Sequence, residues 1–441
     1  MKSKFAYLLS GIGISLLGTF ANADELPSVW SYQDCVDYAH EQNISLRQAR
    51  LKKLSSSYDL EAAKAQWFPT LNFSTSQGFT NYPRPAGSDK SSNTYTGTYN
   101  FNANWTIYNG KKRENTIKKE KINENYYDLN TEQIENNLKT QILIQYLQIL
   151  YSREAIQIAK EAAEVSKYQM ERAEQLMNSG RLSKVDYVQL KSQYSQDLYT
   201  VTNSESTYEN NKLELKNLLQ LGIANDMDLQ TVEFTEEEVM QALPNKIDVY
   251  NKAITWLPEL KKYQLSVDMS DLDIEIAKAQ GRPTLTANAS VGTQNGTGTG
   301  YSFGDQLLNG LNEHIGVTFS VPIIDQKTTK TAVAKAKVNK LTSELDVLDQ
   351  LKTIGDDIEG YYIAANRMQA EYQSGKVKLE STQLTDELTN EKFKIGKVNT
   401  LELMQAHRDF YDARISLLQS KYMAILNIKM LKYYLNEGIT L

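Results

Sequence analysis

Cysteine is all but missing from this chain: Cys35 is the only one among 441 residues, so no internal disulfide can form. Proline and glycine are scarce as well, at 8 and 22, which leaves long stretches with nothing to interrupt a regular element. Histidine occurs at positions 40, 314 and 407 only, far apart and with no cysteine beside any of them. Such histidines read as surface or packing residues. No catalytic constellation, metal set or cofactor site is therefore expected, and the chain does not read as an enzyme. Residues 292–304 are Gly-rich but carry no phosphate-loop lysine, so they read as a loop. A net charge of −6 with no basic block argues against a nucleic-acid partner. After the first 23 residues there is no long apolar run, so no transmembrane helix is expected.

The beginning of the chain has the form of an export signal. Lys2 and Lys4 precede an apolar run over 5–20, and Ala21-Asn22-Ala23 is a small-x-small cleavage site before Asp24. The alternative is an uncleaved membrane anchor, for which the run is short. Cys35 lies twelve residues past that site and is not placed for lipidation. Tyrosine is frequent, 27 against 11 Phe, which suits surfaces half wet and half apolar.

The chain repeats itself. Glu61-Ala62-Ala63-Lys64-Ala65-Gln66, then Pro69-Thr70-Leu71, returns as Glu275-Ile276-Ala277-Lys278-Ala279-Gln280, then Pro283-Thr284-Leu285, an offset of 275 − 61 = 214. Gly180-Arg181-Leu182-Ser183, with Asp186 and Gln189, returns as Gly396-Lys397-Val398-Asn399, with Glu402 and Gln405, an offset of 396 − 180 = 216. Two matches so far apart at nearly one offset point to an internal duplication.

Each half pairs strands with long helices. From 95 to 107, Tyr95, Gly97, Tyr99, Phe101, Ala103, Trp105 and Ile107 alternate with Thr and Asn. Ile315, Val317, Phe319, Val321 and Ile323 alternate with small or polar residues, and 70–80 and 284–293 follow the rule less cleanly. Strands are expected over about 69–80, 95–108, 283–294 and 313–324, long enough to cross a bilayer at a tilt, with uncharged polar faces suited to a wet lumen. The alternative, a soluble sandwich, needs shorter strands not separated by helices. Polar loops at 81–90 and 295–312 read as surface hairpins.

Helices are expected over about 110–178, 184–221, 326–394 and 399–437. In the first, Ile142, Ile149, Ile156, Ala163, Met170 and Met177 recur every seven residues, with Gln145, Ser152, Ala159, Ser166 and Ala173 three places on. That is a coiled-coil seam. Tyr187, Tyr194, Val201, Tyr208 and Leu215 continue the spacing, as do Leu403, Phe410, Leu417, Ala424 and Leu431. Residues 222–247 break it and read as a linker, with a possible short strand at 226–234 and a short helix at 235–243. The repeats are thus 24–221 and 248–441.

Four membrane strands cannot close a barrel, and open edges in lipid are costly, so the barrel must be shared between chains. At this point the chain resembles the TolC-type outer-membrane factor family over its mature length. The resemblance rests on the junctions 64–71 and 278–285, the strand exits Trp105-Thr106-Ile107-Tyr108-Asn109-Gly110-Lys111 and Val321-Pro322-Ile323-Ile324-Asp325-Gln326-Lys327, and the turns at Gly180 and Gly396. It implies a mixed fold: a homotrimer with a twelve-stranded transmembrane barrel, four strands per chain, continued by a coiled-coil helical barrel. It implies an outer-membrane exit duct of a tripartite efflux pump or type I secretion system in a diderm bacterium, with its tunnel in the periplasm.

Partners follow from the resemblance: outer-membrane lipid, a periplasmic adaptor and an inner-membrane transporter. Adaptor docking carries to Gly180, Arg181, Leu182, Ser183, Gly396, Lys397, Val398 and Asn399, with Leu182 and Val398 as anchors. The periplasmic mouth carries to Asp186, Glu402, Gln405 and Phe393. Here Gln405 replaces an acid of the family, and Phe393 and Val398 replace a tyrosine and an arginine, so one acid ring and a locking contact are lost. Tyr99, Phe101, Trp105, Val317, Phe319 and Val321 face lipid. A rival reading is a barrel-anchored coiled-coil rod with a structural or adhesive role; a secreted enzyme on a helical scaffold has no site to support it.

Overall fold

The computed structural model describes residues 27–83, 93–439 and Leu441; the expected signal at 1–23 and most of the first hairpin loop lie outside the described residues. The elements in order are α1 Tyr32–Gln42, α2 Ile44–Ala65, β1 Thr70–Asn81, β2 Asn93–Asn109, α3 Lys112–Asn178 and α4 Lys184–Leu219. They continue with α5 Glu236–Val239, α6 Lys246–Trp256, α7 Pro258–Ala279, β3 Thr284–Gly296, α8 Phe303–Asn309, β4 Asn312–Ser320, α9 Thr328–Lys394 and α10 Thr400–Tyr434.

α3 and α9 are each 67 residues long. At about 1.5 Å per residue each is a rod of roughly 100 Å. No proline falls in either helix, and α9 keeps Gly355, Gly360 and Gly375 without breaking. α3 pairs with α4 and α9 with α10. In the first pair the seam is closed by Ile142, Ile149 and Ala163, with Ser152, Ala159, Ser166 and Ala173 buried between them. Small residues there let the helix backbones approach closely.

The four strands form one antiparallel sheet in the order β1-β2-β3-β4. β1 and β4 are its edges. β4 ends at Ser320, opposite Thr284, the first residue of β3. This corrects the expected strand to 324: Val321 has no β3 residue left to pair with, and Pro322 has no N–H to donate. The expected loop at 295–312 also differs, because it contains α8, capped by Ser302, which accepts from the Asp305 amide.

At the strand-to-helix exits the two halves share one backbone solution. Gly110 and Lys111 have φ of 68° and 71°, and Gln326 and Lys327 have 53° and 68°. Two left-handed residues in a row turn the strand direction into the helix axis. Arg113, buried at the first exit, donates to the carbonyls of Gln66 (3.1 Å), Thr106 (2.7 Å) and Ile107 (3.1 Å). Its guanidinium lies 3.4 Å over the Trp67 ring.

Midway along the rods, the start of the chain and the linker form a belt. Trp30 and Leu229 make one parallel bridge, and that bridge is all that forms of the strand expected at 226–234. The Tyr146 hydroxyl donates toward the carbonyls of Trp30 (3.1 Å) and Gln230 (2.9 Å), fixing the belt to α3. On the other side Gln369 donates to the carbonyls of Val239 and Gln241, both at 2.9 Å. α5 is held by a capping box between Thr235 and Glu238. Cys35 is fully buried in this core, and burial, with Asp34 adding to it, pushes its thiol up to about 12, so it is inert packing.

Candidate functional sites: helix tips and sheet face

The two tips share one backbone solution. α3 ends where Gly180, at φ 76°, donates to the Met177 carbonyl (2.9 Å) while Arg181 donates to Leu176 (2.9 Å). α9 ends where Gly396, at φ 72°, donates to Phe393 (3.0 Å) while Lys397 donates to Lys392 (2.9 Å). Both are glycine-terminated Schellman-type ends. Ser183 then starts α4, accepting from the Asp186 amide at 3.1 Å, and Asn399 starts α10, accepting from the Glu402 amide at 2.8 Å.

The two acids expected at the mouth take part in these caps. Ser183 Oγ donates to Asp186 Oδ2 at 2.6 Å, and Asn399 Nδ2 donates to Glu402 Oε1 at 2.7 Å. The Ser183 hydroxyl is the main cause holding the Asp186 carboxyl below the usual range. Gln405 donates to Asp409 at 2.8 Å along its own helix. Phe393 is buried with Ala173, Leu190 and Leu403, and Leu182 and Val398 pack half-buried against that cluster. The expected anchors therefore turn inward within the chain. The apolar side chains that do stand out are Val185 and Leu401, each 67% exposed, with Val188 and Ile395 beside them. Val185 and Leu401 are 216 apart, the offset of the tip repeat (401 − 185), a signal that points to both from sequence.

Above the apolar cluster lies a polar layer that sequence reading passed over. His407 is 2% exposed, and its Nδ1 stands 3.7 Å from Asp386 Oδ1 on α9. Asp197 of α4 lines the same cavity of about 220 Å³ as His407. Gln193 donates to Asp197 Oδ1 at 2.8 Å, and burial is the main cause pushing the Asp197 carboxyl up. His40 and His314 carry no such burial.

At the other end, pairing puts Phe73 opposite Phe101 and Phe101 opposite Val291, and puts Ala287 opposite Val317 and Leu285 opposite Phe319. Tyr99, Phe101 and Trp105 of β2 and Val317 and Phe319 of β4 thus share one face of the sheet, since side chains alternate with period two. Phe101, Trp105, Val317 and Phe319 are all exposed. Val321 is exposed too but lies past the end of β4. Asn100, Asn102, Asn104 and Thr98 occupy the opposite face. Among the described residues no helix is long and apolar enough to cross a membrane, and no group of three or more His, Cys, Asp or Glu could hold a metal ion.

The sequence profile described as "Outer membrane efflux protein" matches the chain over residues 35–220 and again over 249–436. The chain is 20% identical to Outer membrane protein TolC of Salmonella enteritidis over 442 residues, covering 98% of this chain and 86% of that one. Its fold is similar to that of CusC, with a TM-score of 0.78 at 15% identity and 92% of each chain covered. It is also similar to the Campylobacter jejuni CmeC outer membrane channel, with a TM-score of 0.77 at 16% identity, covering 92% of this chain and 86% of that one.

Proposed function

The chain belongs to the outer membrane efflux protein family, and on that premise we propose that three copies form an exit duct through the outer membrane and periplasm. In the membrane the sheet supplies four of twelve strands. Below it the rods supply a hollow coiled-coil tunnel. A periplasmic adaptor and an inner-membrane transporter complete a tripartite efflux pump, or a type I secretion system, at the tips.

The observation that carries this reading is the sheet with two open edges, β1 and β4, flanked by exposed helix seams. On α2 the seam is Leu51 (64% exposed), Leu54 (47%) and Tyr58 (59%). On α9 it is Val338, Leu341, Leu345 and Leu348, all exposed. Within the chain, α7 packs against both α3 and α9, whereas α2 packs on α3 and leaves its other flank open. The packing of α7 on α3 therefore has a missing quasi-equivalent, α2 of one subunit on α9 of the next. The same step joins β4 to a neighbouring β1. Backbone groups left unpaired in lipid cost several kcal/mol each, so the edges close only when the ring closes. Twelve strands leave a lumen, whereas eight would be filled by side chains.

The lumen face is mostly Asn, Thr and Ser, with His314 of β4 opposite Ser290, and its described strand residues include no carboxylate, lysine or arginine, which fits a passage that does not choose its cargo. The duplication gives six similar sectors around three subunits. The tips depart from that sixfold likeness, with Arg181, Leu182 and Ser183 in one copy and Lys397, Val398 and Asn399 in the other.

The test is the mass and conductance of the purified full chain. A mass of three chains with steady current across planar bilayers is expected. A monomer, or a trimer that carries no current, overturns the duct.

A further inference from the structure

The short helix α8 sits on the apolar side of the sheet, at the end away from the rods. Thr293 Oγ1 donates to the Leu307 carbonyl at 2.6 Å. Thr293 pairs with Tyr99 and lies two residues from Val291, which pairs with Phe101, so its side chain is on the lipid-facing side. The Gly296 amide donates to Gln306 Oε1 at 2.6 Å, fixing the helix a second time. Gly310 lets it lie close, since a Cβ there would meet the Gln306 carbonyl at 2.8 Å and the Gln294 carbonyl at 3.1 Å.

These anchors are polar, and they leave the apolar side chains outside. Tyr301 is 64% exposed, Phe303 56%, Leu308 75% and Leu311 54%. The height also fits a boundary. Thr293 is nine residues along β3 from Thr284. At about 3.3 Å per residue and a tilt near 40°, that is roughly 23 Å up from the start of the strand, close to the ~25 Å apolar band of an outer-membrane barrel. Below that level the strand face is apolar up to Ile315, and Glu313, paired with Val291 two residues below Thr293, brings a carboxylate to the upper edge of the band.

We propose that α8 is an interfacial anchor, lying flat in the headgroup region of the outer leaflet with Phe303, Leu308 and Leu311 dipping into the acyl boundary. The occupant is lipid because the patch lies on the same side of the sheet as the apolar strand face, meeting it at its upper edge beside Glu313, and is too small for a stable protein partner. Each subunit contributes this anchor through its second hairpin. The inference rests on the sheet lying in the outer membrane.

The test uses the full chain carrying Cys35→Ala, with single cysteines spin-labelled and reconstituted in phosphatidylethanolamine–phosphatidylglycerol vesicles. Oxygen and a nickel chelate report lipid and water exposure. Labels at Leu308→Cys and Phe303→Cys are expected to give an oxygen-to-nickel ratio several-fold above a Thr299→Cys label in the open loop, and below an Ile315→Cys label, which pairs with Ala289 near the middle of the apolar band. A ratio equal to that of Thr299→Cys, or labels shielded from both reagents as in a protein contact, overturns the anchor. If Ile315→Cys also reads as water-exposed, it is the membrane placement of the sheet that fails.

Discussion

Arg282, at the start of the second strand hairpin, donates from Nη1 to the carbonyl of Gly110, the first turn residue after the first hairpin, at 2.9 Å. The contact ties the entry of one half to the exit of the other where sheet becomes tunnel. It also explains why glycine stands at 110 and glutamine at the equivalent 326. A Cβ at Gly110 would lie 2.6 Å from Arg282 Cβ and 2.9 Å from the Ala279 carbonyl. Gly110→Ala should therefore destabilise the assembled channel by about 2–4 kcal/mol through overpacking and backbone strain. Gln326→Ala should change it by less than about 1 kcal/mol. Thermal unfolding of the two purified variants in detergent measures both.

Arg113 poses a related case. It satisfies three carbonyls and stacks on Trp67. Arg113→Ala removes a buried guanidinium and the partner of all three carbonyls and should cost about 2–4 kcal/mol. Arg113→Lys should recover only part, because an ammonium cannot present the planar fork that reaches three acceptors. Heat resistance of the two variants, measured side by side, checks the order.

The proposed subunit interface can be given a register. Advancing β2 by 216 and moving β3 back by 214 turns the observed pairs Phe101–Val291, Ala103–Ala289 and Trp105–Ala287 into Val317–Gln77, Phe319–Thr75 and Val321–Phe73 across subunits. Phe319→Cys combined with Thr75→Cys should crosslink the chain into covalent trimers. Phe319→Cys with Phe79→Cys, two pairs out of step, should not. Equal crosslinking of both, on a denaturing gel, would refute the register. Val321, unpaired within one chain, gains its partner in this scheme.

At the tips, burial separates two kinds of apolar residue. Val185→Asp and Leu401→Asp should abolish export and adaptor crosslinking while leaving thermal stability within about 0.5 kcal/mol of wild type. Leu182→Asp and Val398→Asp should lower the stability of the tips, because they place a charge against Phe393 and Leu403. Drug susceptibility and hydrogen exchange at 170–190 and 390–410 distinguish the two outcomes.

The Asp197 carboxyl is pushed up by burial, so the fold takes its proton more readily than the unfolded chain does. Its charge costs stability that is fully felt above the raised folded pKa and is lost as pH falls through it toward the ordinary carboxylate value of about 3.9. Asp197→Asn should raise the denaturation midpoint at pH 7 and leave it unchanged near pH 3. A gain that persists undiminished in acid would contradict this account.

What could be read in advance depended on how far each signal reached along the chain. Alternation over 95–107 needs no partner to be seen, because period two in the residues is period two in space. The long helices were legible from missing breakers and from a seam whose small members, Ser152 to Ala173, had to be buried. The end of β4 was not legible, because it is set by where β3 begins. Nor was α8, where glycines concealed a serine cap at Ser302 and a short apolar turn. The direction of Leu182 against Val185 depends on which neighbour α9 and α10 bring, and one helix alone does not contain that. His407 gave no warning, since its partners Asp197 and Asp386 lie on two other helices.

The equal length of α3 and α9 has a consequence for how such chains can change. Deleting one residue from one rod shortens it by about 1.5 Å and rotates everything beyond by about 100°. That throws its seam out of phase and its tip out of level with the other. A heritable change of reach must therefore arrive as whole heptads, entered in both outgoing rods and both returning ones. The smallest viable step is then about 28 residues per chain for roughly 10 Å of span. Lineages spanning wider or narrower gaps between their two membranes should differ in this quantum, and the intermediate lengths should be missing.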